Sequence, residues 1–192
     1  MARNLLPMTH SEKTLKTISK FLSLVLRHDP ARAGISLDEN GWADVAQLIA
    51  GISSKGIALD RALLDEVVRT NAKQRFAFDE SGSRIRASQG HSVTVALGYE
   101  PQEPPALLYH GTVAAALPSI RESGLEKRDR HHVHLSADTA TAQAVGGRRG
   151  KPVLLEVDAA AMQAAGFLFY RSDNGVWLTD AVPPQYLRFP LQ

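Results

Sequence analysis

Cysteine is missing altogether. That excludes disulfides and thiolate metal sites, and makes a reducing cytoplasm the simplest expected location. No apolar run comes near the roughly 18 residues that a membrane-spanning helix needs, so no membrane association is expected. The first residues, Met1-Ala-Arg-Asn-Leu-Leu-Pro7, hold one arginine but no long apolar stretch and no small-residue cleavage site after one. They do not read as a secretory leader. Net charge is also small, only +2, so bulk electrostatics do not mark a nucleic-acid protein. An anionic partner would have to be recognised by clustered arginine and histidine.

What is present fits a folded chain of 192 residues, enough for one large domain or two small ones. Tyr99-Glu-Pro-Gln-Glu-Pro-Pro-Ala106 packs three prolines and two glutamates into eight residues, and can continue neither a helix nor a central strand. We expect an interdomain linker over 99–106, with domains over 1–98 and 107–192.

The first half opens on a helix. Thr9 and Glu12 have capping-box spacing, Leu15, Ile18, Leu22 and Val25 recur at helical period, and Pro30 stops it. Asp38-Glu-Asn-Gly41 is a turn. Asp44 caps a short second helix through Leu48 and Ile49, and a third runs from about Asp60 to Asn71. Arg75 to Phe78 and Arg84 to Ala87 flank a turn and form a hairpin. Three helices followed by a hairpin resemble a winged-helix domain.

The second half alternates differently. Leu107 to Tyr109 reads as a strand running into His110-Gly-Thr112. A helix from about Val113 ends at Gly124, a suitable residue beyond a helix C-terminus. His132 to Leu135 and Pro152 to Val157 are strands. Ser136 and Asp138 can cap a helix through Ala144. Phe167 to Tyr170 and Val176 to Leu178 form a hairpin across Asn174-Gly175, the strongest hairpin signal in the chain. The fold class expected is α+β.

Several residues could carry chemistry. Arg27 and His28 fall at the end of the first helix, where the dipole favours a protonated histidine. Taken alone, that is ordinary positive charge at a helix end. Arg84 and Arg86 share one strand face and could track a nucleic-acid backbone, or simply form the solvated side of a half-buried hairpin. Gly90 and His91 join a glycine to a polar donor. His110, Gly111 and Thr112 could meet a sugar. His132 and His134 tempt a metal assignment, but no cysteine completes a site and we expect no metal. Gly146-Gly-Arg-Arg-Gly150 is phosphate-friendly, yet it is neither a Walker A loop nor a dinucleotide fingerprint. It could equally be a glycine-rich surface turn.

Together these stretches carry a resemblance. Leu26-Arg-His28, Gly41-Trp42, Lys73-Gln-Arg-Phe76, Ile85-Arg-Ala-Ser-Gln-Gly-His-Ser92, Leu108-Tyr-His-Gly-Thr112, His132-Val-His-Leu-Ser136, Val145-Gly-Gly-Arg148 and Asn174-Gly-Val-Trp-Leu178 stand in the order found in the RNA 2′-phosphotransferase family, which the chain resembles from about Leu15 to Tyr186. Two departures are visible. Arg149 stands where relatives often have histidine, and Ser88 where they often have asparagine.

The resemblance implies an N-terminal winged-helix lobe facing RNA and a C-terminal ADP-ribosyltransferase-like lobe holding NAD. It implies catalytic roles for Arg27, His28, Arg75 and Arg148. NAD-binding roles fall on His110, Gly111, Thr112, Arg130, His132, His134 and Ser136, and RNA or phosphate contacts on Arg84, Arg86, Gly90 and His91. The implied partners are a 2′-phosphorylated, splice-junction-like RNA and NAD, which is consumed, with the protein acting as a monomer. The implied reaction has two steps. The RNA 2′-phosphate first becomes ADP-ribosylated with release of nicotinamide. Transesterification then yields 2′-hydroxyl RNA and ADP-ribose 1″,2″-cyclic phosphate. Two rival readings remain: an ADP-ribosyltransferase that stops after the first step, and a winged-helix regulator with a ligand-sensing C-terminal domain.

Overall fold

The computed structural model describes residues 10–190, with Arg149 through its backbone only. The chain forms two units, Met1–Leu97 and Gly98–Gln192.

In the first unit, α1 (Glu12–Arg27) buries Leu15, Ile18, Leu22, Val25 and Leu26, one stripe at three- and four-residue spacing. Its cap is Ser11, whose side chain accepts from the Thr14 amide at 3.2 Å. The cap expected at Thr9 lies outside the described residues. Asp29 then caps a 3-10 turn over Pro30–Ala33, where proline occupies the first helical positions and needs no amide hydrogen. A two-residue strand, β1 (Ala43–Asp44), runs into α2 (Val45–Ser53), capped by Asp44. Asp60 caps α3 (Arg61–Thr70). β2 (Phe76–Phe78) and β3 (Arg84–Ala87) form the expected hairpin, and β1 pairs antiparallel with the other edge of β3. Ile85 and Ala87 face the helices and are fully buried, closing a core with Leu22, Leu48 and Leu64.

The second unit starts with β4 (Leu107–Val113), which runs through the His110-Gly-Thr112 stretch. A 3-10 turn (Ala114–Ala116) and α4 (Leu117–Ser123) follow, with Pro118 in the first turn. That tolerance for proline explains why the helix begins later than the apolar pattern implies. Then come β5 (Leu125–Glu126), β6 (Val133–Leu135), α5 (Thr139–Gly146, capped by Asp138), a 3-10 turn (Gly147–Arg149) and β7 (Pro152–Asp158). The chain ends with α6 (Ala159–Ala164), β8 (Tyr170–Arg171), β9 (Trp177–Thr179), β10 (Ala181–Val182) and β11 (Leu187–Arg188).

Two three-stranded antiparallel sheets, β11-β7-β4 and β6-β9-β8, are joined where Tyr109 and Ser136 exchange backbone hydrogen bonds of 2.9 and 2.8 Å. The β10-β5 pair lies apart from them. Leu108, Leu135, Leu155, Met162 and Phe169 lead the core.

Two expectations need correction. The first strand of the last hairpin begins at Tyr170, not Phe167, because the Phe167 amide donates back to Met162 and stays with the end of α6. His132 precedes β6 instead of lying within it. The proline-rich stretch also makes contacts of its own within the second unit. The Gln102 amide donates to the Phe169 carbonyl at 2.8 Å, Pro101 bridges to Tyr170, and Ala106 accepts from Ala160 at 3.1 Å. Proline blocks regular structure without preventing edge contacts.

Candidate active site

On the first unit, α1 ends on its two candidate residues. Arg27 is the last helical residue and His28 the cap. A helix leaves its final carbonyls without intrahelical donors. Here the carbonyl of Arg27 accepts from the Ser92 amide at 2.9 Å and the Val93 amide at 3.3 Å. Ser92 also bonds His28 through its side chain, with Oγ 2.9 Å from Nδ1. Ser92 closes the Ile85-to-Ser92 stretch, and no local pattern in the sequence marks it as a partner of α1.

Gly90 shapes this crossing. Its φ of +87° lies where glycine is at little cost. Beyond it, His91 turns inward and is only 1% exposed, lying against Gly41. A Cβ on Gly41 would be 3.5 Å from His91 Nε2. His91 is therefore a packed residue beside the Asp38–Gly41 turn.

Arg75 sits just before β2. Its Nη1 lies 3.5 Å from Asn71 Oδ1, and Asn71 Nδ2 donates to Ser19 Oγ of α1 at 3.0 Å. Its backbone is held by the residue that follows β3. Ser88, 2% exposed, donates its amide to the Arg75 carbonyl at 2.9 Å and its hydroxyl to the Gln74 carbonyl at 2.9 Å. Gln74 takes a φ of +42°, an uncommon backbone for a residue with a side chain. The turn between Lys73 and Arg75 is thus pinned from both sides.

Arg84 and Arg86 both lie over the Trp42 ring, at 5.6 and 4.6 Å. Arg84 also pairs with Asp79 at 3.2 Å and Asp38 at 3.4 Å. Two carboxylates offset much of the charge Arg84 would offer a phosphate.

On the second unit, β4 carries His110. Its Nδ1 lies 3.1 Å from the His134 carbonyl of β6. A carbonyl only accepts, so Nδ1 carries the proton and Nε2 the lone pair. Burial pushes the His110 pKa below its ordinary value. The His134 carbonyl opposes this, and the nearby Arg130 guanidinium adds to it. Arg130 Nη1 is 3.4 Å from His134 Nδ1. His132 packs against Tyr170, with ring centroids 5.5 Å apart, and burial lowers its pKa too. Among the described residues, no three histidine, cysteine or acidic side chains gather in a way that could hold a metal ion.

Gly111 and Gly146 answer a packing need. A Cβ on Gly111 would run into the Ala142 carbonyl oxygen of α5. The glycine in the His110-Gly-Thr112 stretch therefore admits the close approach of α5. Arg148 follows two residues after Gly146, in the 3-10 turn beside β4. It is exposed, and among the described residues its guanidinium meets no hydrogen-bond or ion-pair partner.

The acidic side chains nearest in sequence are committed elsewhere. Asp138 caps α5, accepting from the Thr141 amide at 2.7 Å. Glu156 pairs in register with Tyr109, whereas His110 pairs with Leu155. Successive strand residues point to opposite faces, so Glu156 lies on the face away from His110. There it meets Arg188 at 3.9 Å.

Comparison with known proteins places the chain in a family. The sequence profile described as RNA 2′-phosphotransferase, Tpt1 / KptA family, matches residues 13–181, and the chain belongs to that family. Among its relatives, a protein from Pseudomonas paraeruginosa is 59% identical over 177 residues, covering 92% of this chain and 97% of the relative. One from Rhodopirellula baltica is 57% identical over 181 residues, covering 94% and 98%. One from Flavobacterium johnsoniae is 55% identical over 179 residues, covering 93% and 98%. All three bear the name "Probable RNA 2′-phosphotransferase".

Proposed function

We propose that this chain is an NAD-dependent RNA 2′-phosphotransferase, removing a 2′-phosphate from RNA and passing it to ADP-ribose. The observation that carries the reading, in a chain of this family, is on the second unit. His110, neutral with a fixed tautomer, lies in β4, and Arg148, uncommitted among the described residues, lies in the 3-10 turn that packs beside that strand. In this reading the first unit is a winged-helix lobe that takes the RNA, and the second an ADP-ribosyltransferase-like lobe that takes NAD. The protein works as a cytoplasmic monomer.

The residues present fit NAD. The lone pair on His110 Nε2 can accept from a ribose hydroxyl, and Arg130 and Arg148 suit a pyrophosphate or phosphate. When bound, NAD supplies an anomeric carbon whose nicotinamide departs neutral, so that departure needs no acid. What the chain contributes first is alignment. Arg27 and Arg75 hold the RNA phosphate, and His110, Thr112 and Ser136 orient the ribose. In the phosphoryl-transfer step negative charge grows on the phosphoryl oxygens, and the guanidiniums of Arg27, Arg75 and Arg148 stabilise it. His28 gives a proton to the departing RNA 2′-oxygen. A carboxylate at the ribose 2″-hydroxyl would repel the phosphate that this hydroxyl attacks. The orientation of Glu156 away from His110 agrees with that requirement.

The test is incubation with a 2′-phosphorylated oligonucleotide and NAD, with every product identified. The expected products are nicotinamide, 2′-hydroxyl RNA and ADP-ribose 1″,2″-cyclic phosphate, unaffected by EDTA. An ADP-ribosylated RNA as the final product would make the protein a transferase that stops after one step. Tight duplex binding with no nicotinamide release would make it a regulator. Activity lost to EDTA and restored by a divalent ion would reinstate a metal site.

A further inference from the structure

Ser92 lies 64 residues from His28 in sequence and holds the end of α1 in two separate ways. Its amide serves the Arg27 carbonyl, and its hydroxyl serves His28 Nδ1, each at 2.9 Å. The left-handed turn at Gly90 sends His91 into the core and brings Ser92 to the helix end.

We propose that Ser92 is the positioning residue of His28, holding Nδ1 so that the proton given to the RNA leaves from Nε2. This rests on the reading of His28 as the proton donor. The proton bookkeeping fixes what the partner must do. In the imidazolium, Nδ1 donates to Ser92 Oγ while Nε2 carries the proton to be given. Release from Nε2 leaves the neutral ring with its remaining proton on Nδ1, still donated to the same oxygen. A hydroxyl can also donate, so the ring keeps this partner in either neutral tautomer. One ring orientation stays hydrogen-bonded before and after release, which suits a group that must hold and then release a proton.

The backbone bond survives removal of the hydroxyl, so Ser92→Ala isolates the side chain. An unchanged thermal midpoint serves as the folding control. The first measurement needs no substrate: ¹⁵N NMR of the His28 imidazole in the full chain. Ser92→Ala should displace the Nδ1 resonance, and Ser92→Thr should restore it. Identical Nδ1 resonances in wild type and Ser92→Ala would overturn the proposal.

The second measurement is single-turnover kinetics on the 2′-phosphorylated oligonucleotide with NAD. Ser92→Ala should slow phosphate transfer about 3- to 10-fold, as loss of one hydrogen bond predicts, and Ser92→Thr should recover most of the rate. In a His28→Ala background Ser92→Ala should cost nothing further, because its effect runs through the imidazole. An equal loss in both backgrounds would overturn the proposal and place Ser92 on the RNA instead. Full activity of His28→Ala would sink the assigned role of His28, while the NMR comparison still decides whether Ser92 holds the ring.

Discussion

Gly111 of β4 and Gly146 of α5 meet backbone to backbone. A Cβ on Gly146 would stand 2.8 Å from the Gly111 carbonyl carbon and 2.9 Å from the Thr112 amide nitrogen. The contact seats α5 directly on the strand that carries His110 and Thr112, and so sets where the Arg148 turn begins.

Alanine at either glycine must therefore push α5 off β4. Gly111→Ala and Gly146→Ala should each destabilise the protein by about 1–3 kcal/mol, the usual range for overpacking. Gly147→Ala is the control, since its Cβ would touch only Pro152, at 3.8 Å. Urea denaturation checks this. Equal midpoints for all three variants would show that the helix yields freely.

His110 gives the protein a pH dependence. Its folded pKa lies below the ordinary 6.5, chiefly through burial, so the unfolded chain binds the proton more readily. Stability from this group is complete above about pH 6.5 and is lost as pH falls towards the folded pKa. His110→Gln should flatten part of that slope in denaturation curves measured between pH 7 and 5, leaving the part due to His132. An unchanged slope would mean that His110 titrates normally.

Arg148 should matter most where charge builds on phosphorus. Arg148→Ala is expected to release nicotinamide yet accumulate RNA bearing an ADP-ribosylated 2′-phosphate. The transfer step should slow about 10²–10³-fold, as for loss of one preorganised electrostatic donor. Arg148→Lys should recover only part, because an ammonium lacks the planar fork. Single-turnover kinetics with labelled 2′-phosphate resolves the species. Equal slowing of both steps without an accumulating species would assign Arg148 to positioning.

RNA binding should depend on the 2′-phosphate. With a net charge of +2, general attraction to the backbone is weak. Charge-assisted hydrogen bonds to one dianion are worth about 1.5–3 kcal/mol each. Affinity for the phosphorylated oligonucleotide at physiological salt should exceed that for its unphosphorylated twin by tenfold or more. Equal affinities would contradict a guanidinium clamp on that phosphate.

Much of the local structure was legible in the sequence because its causes are local. Asp44, Asp60 and Asp138 cap the helices their positions announce, Pro30 ends α1, and the apolar stripe of α1 names its own buried face. The short helix α6 was missed, although Asp158 capping an alanine-rich run signalled it. Long-range relations were not legible, because no periodicity encodes which distant group fills a space or answers a lone pair. Only the tertiary structure puts α5 behind Gly111, Ser92 on the end of α1, two carboxylates on Arg84, and His91 among the buried side chains. Sequence spacing lays side chains along an element. Whether each one faces a ligand, a helix or a buried polar partner is decided when elements far apart in the chain compete for the same volume.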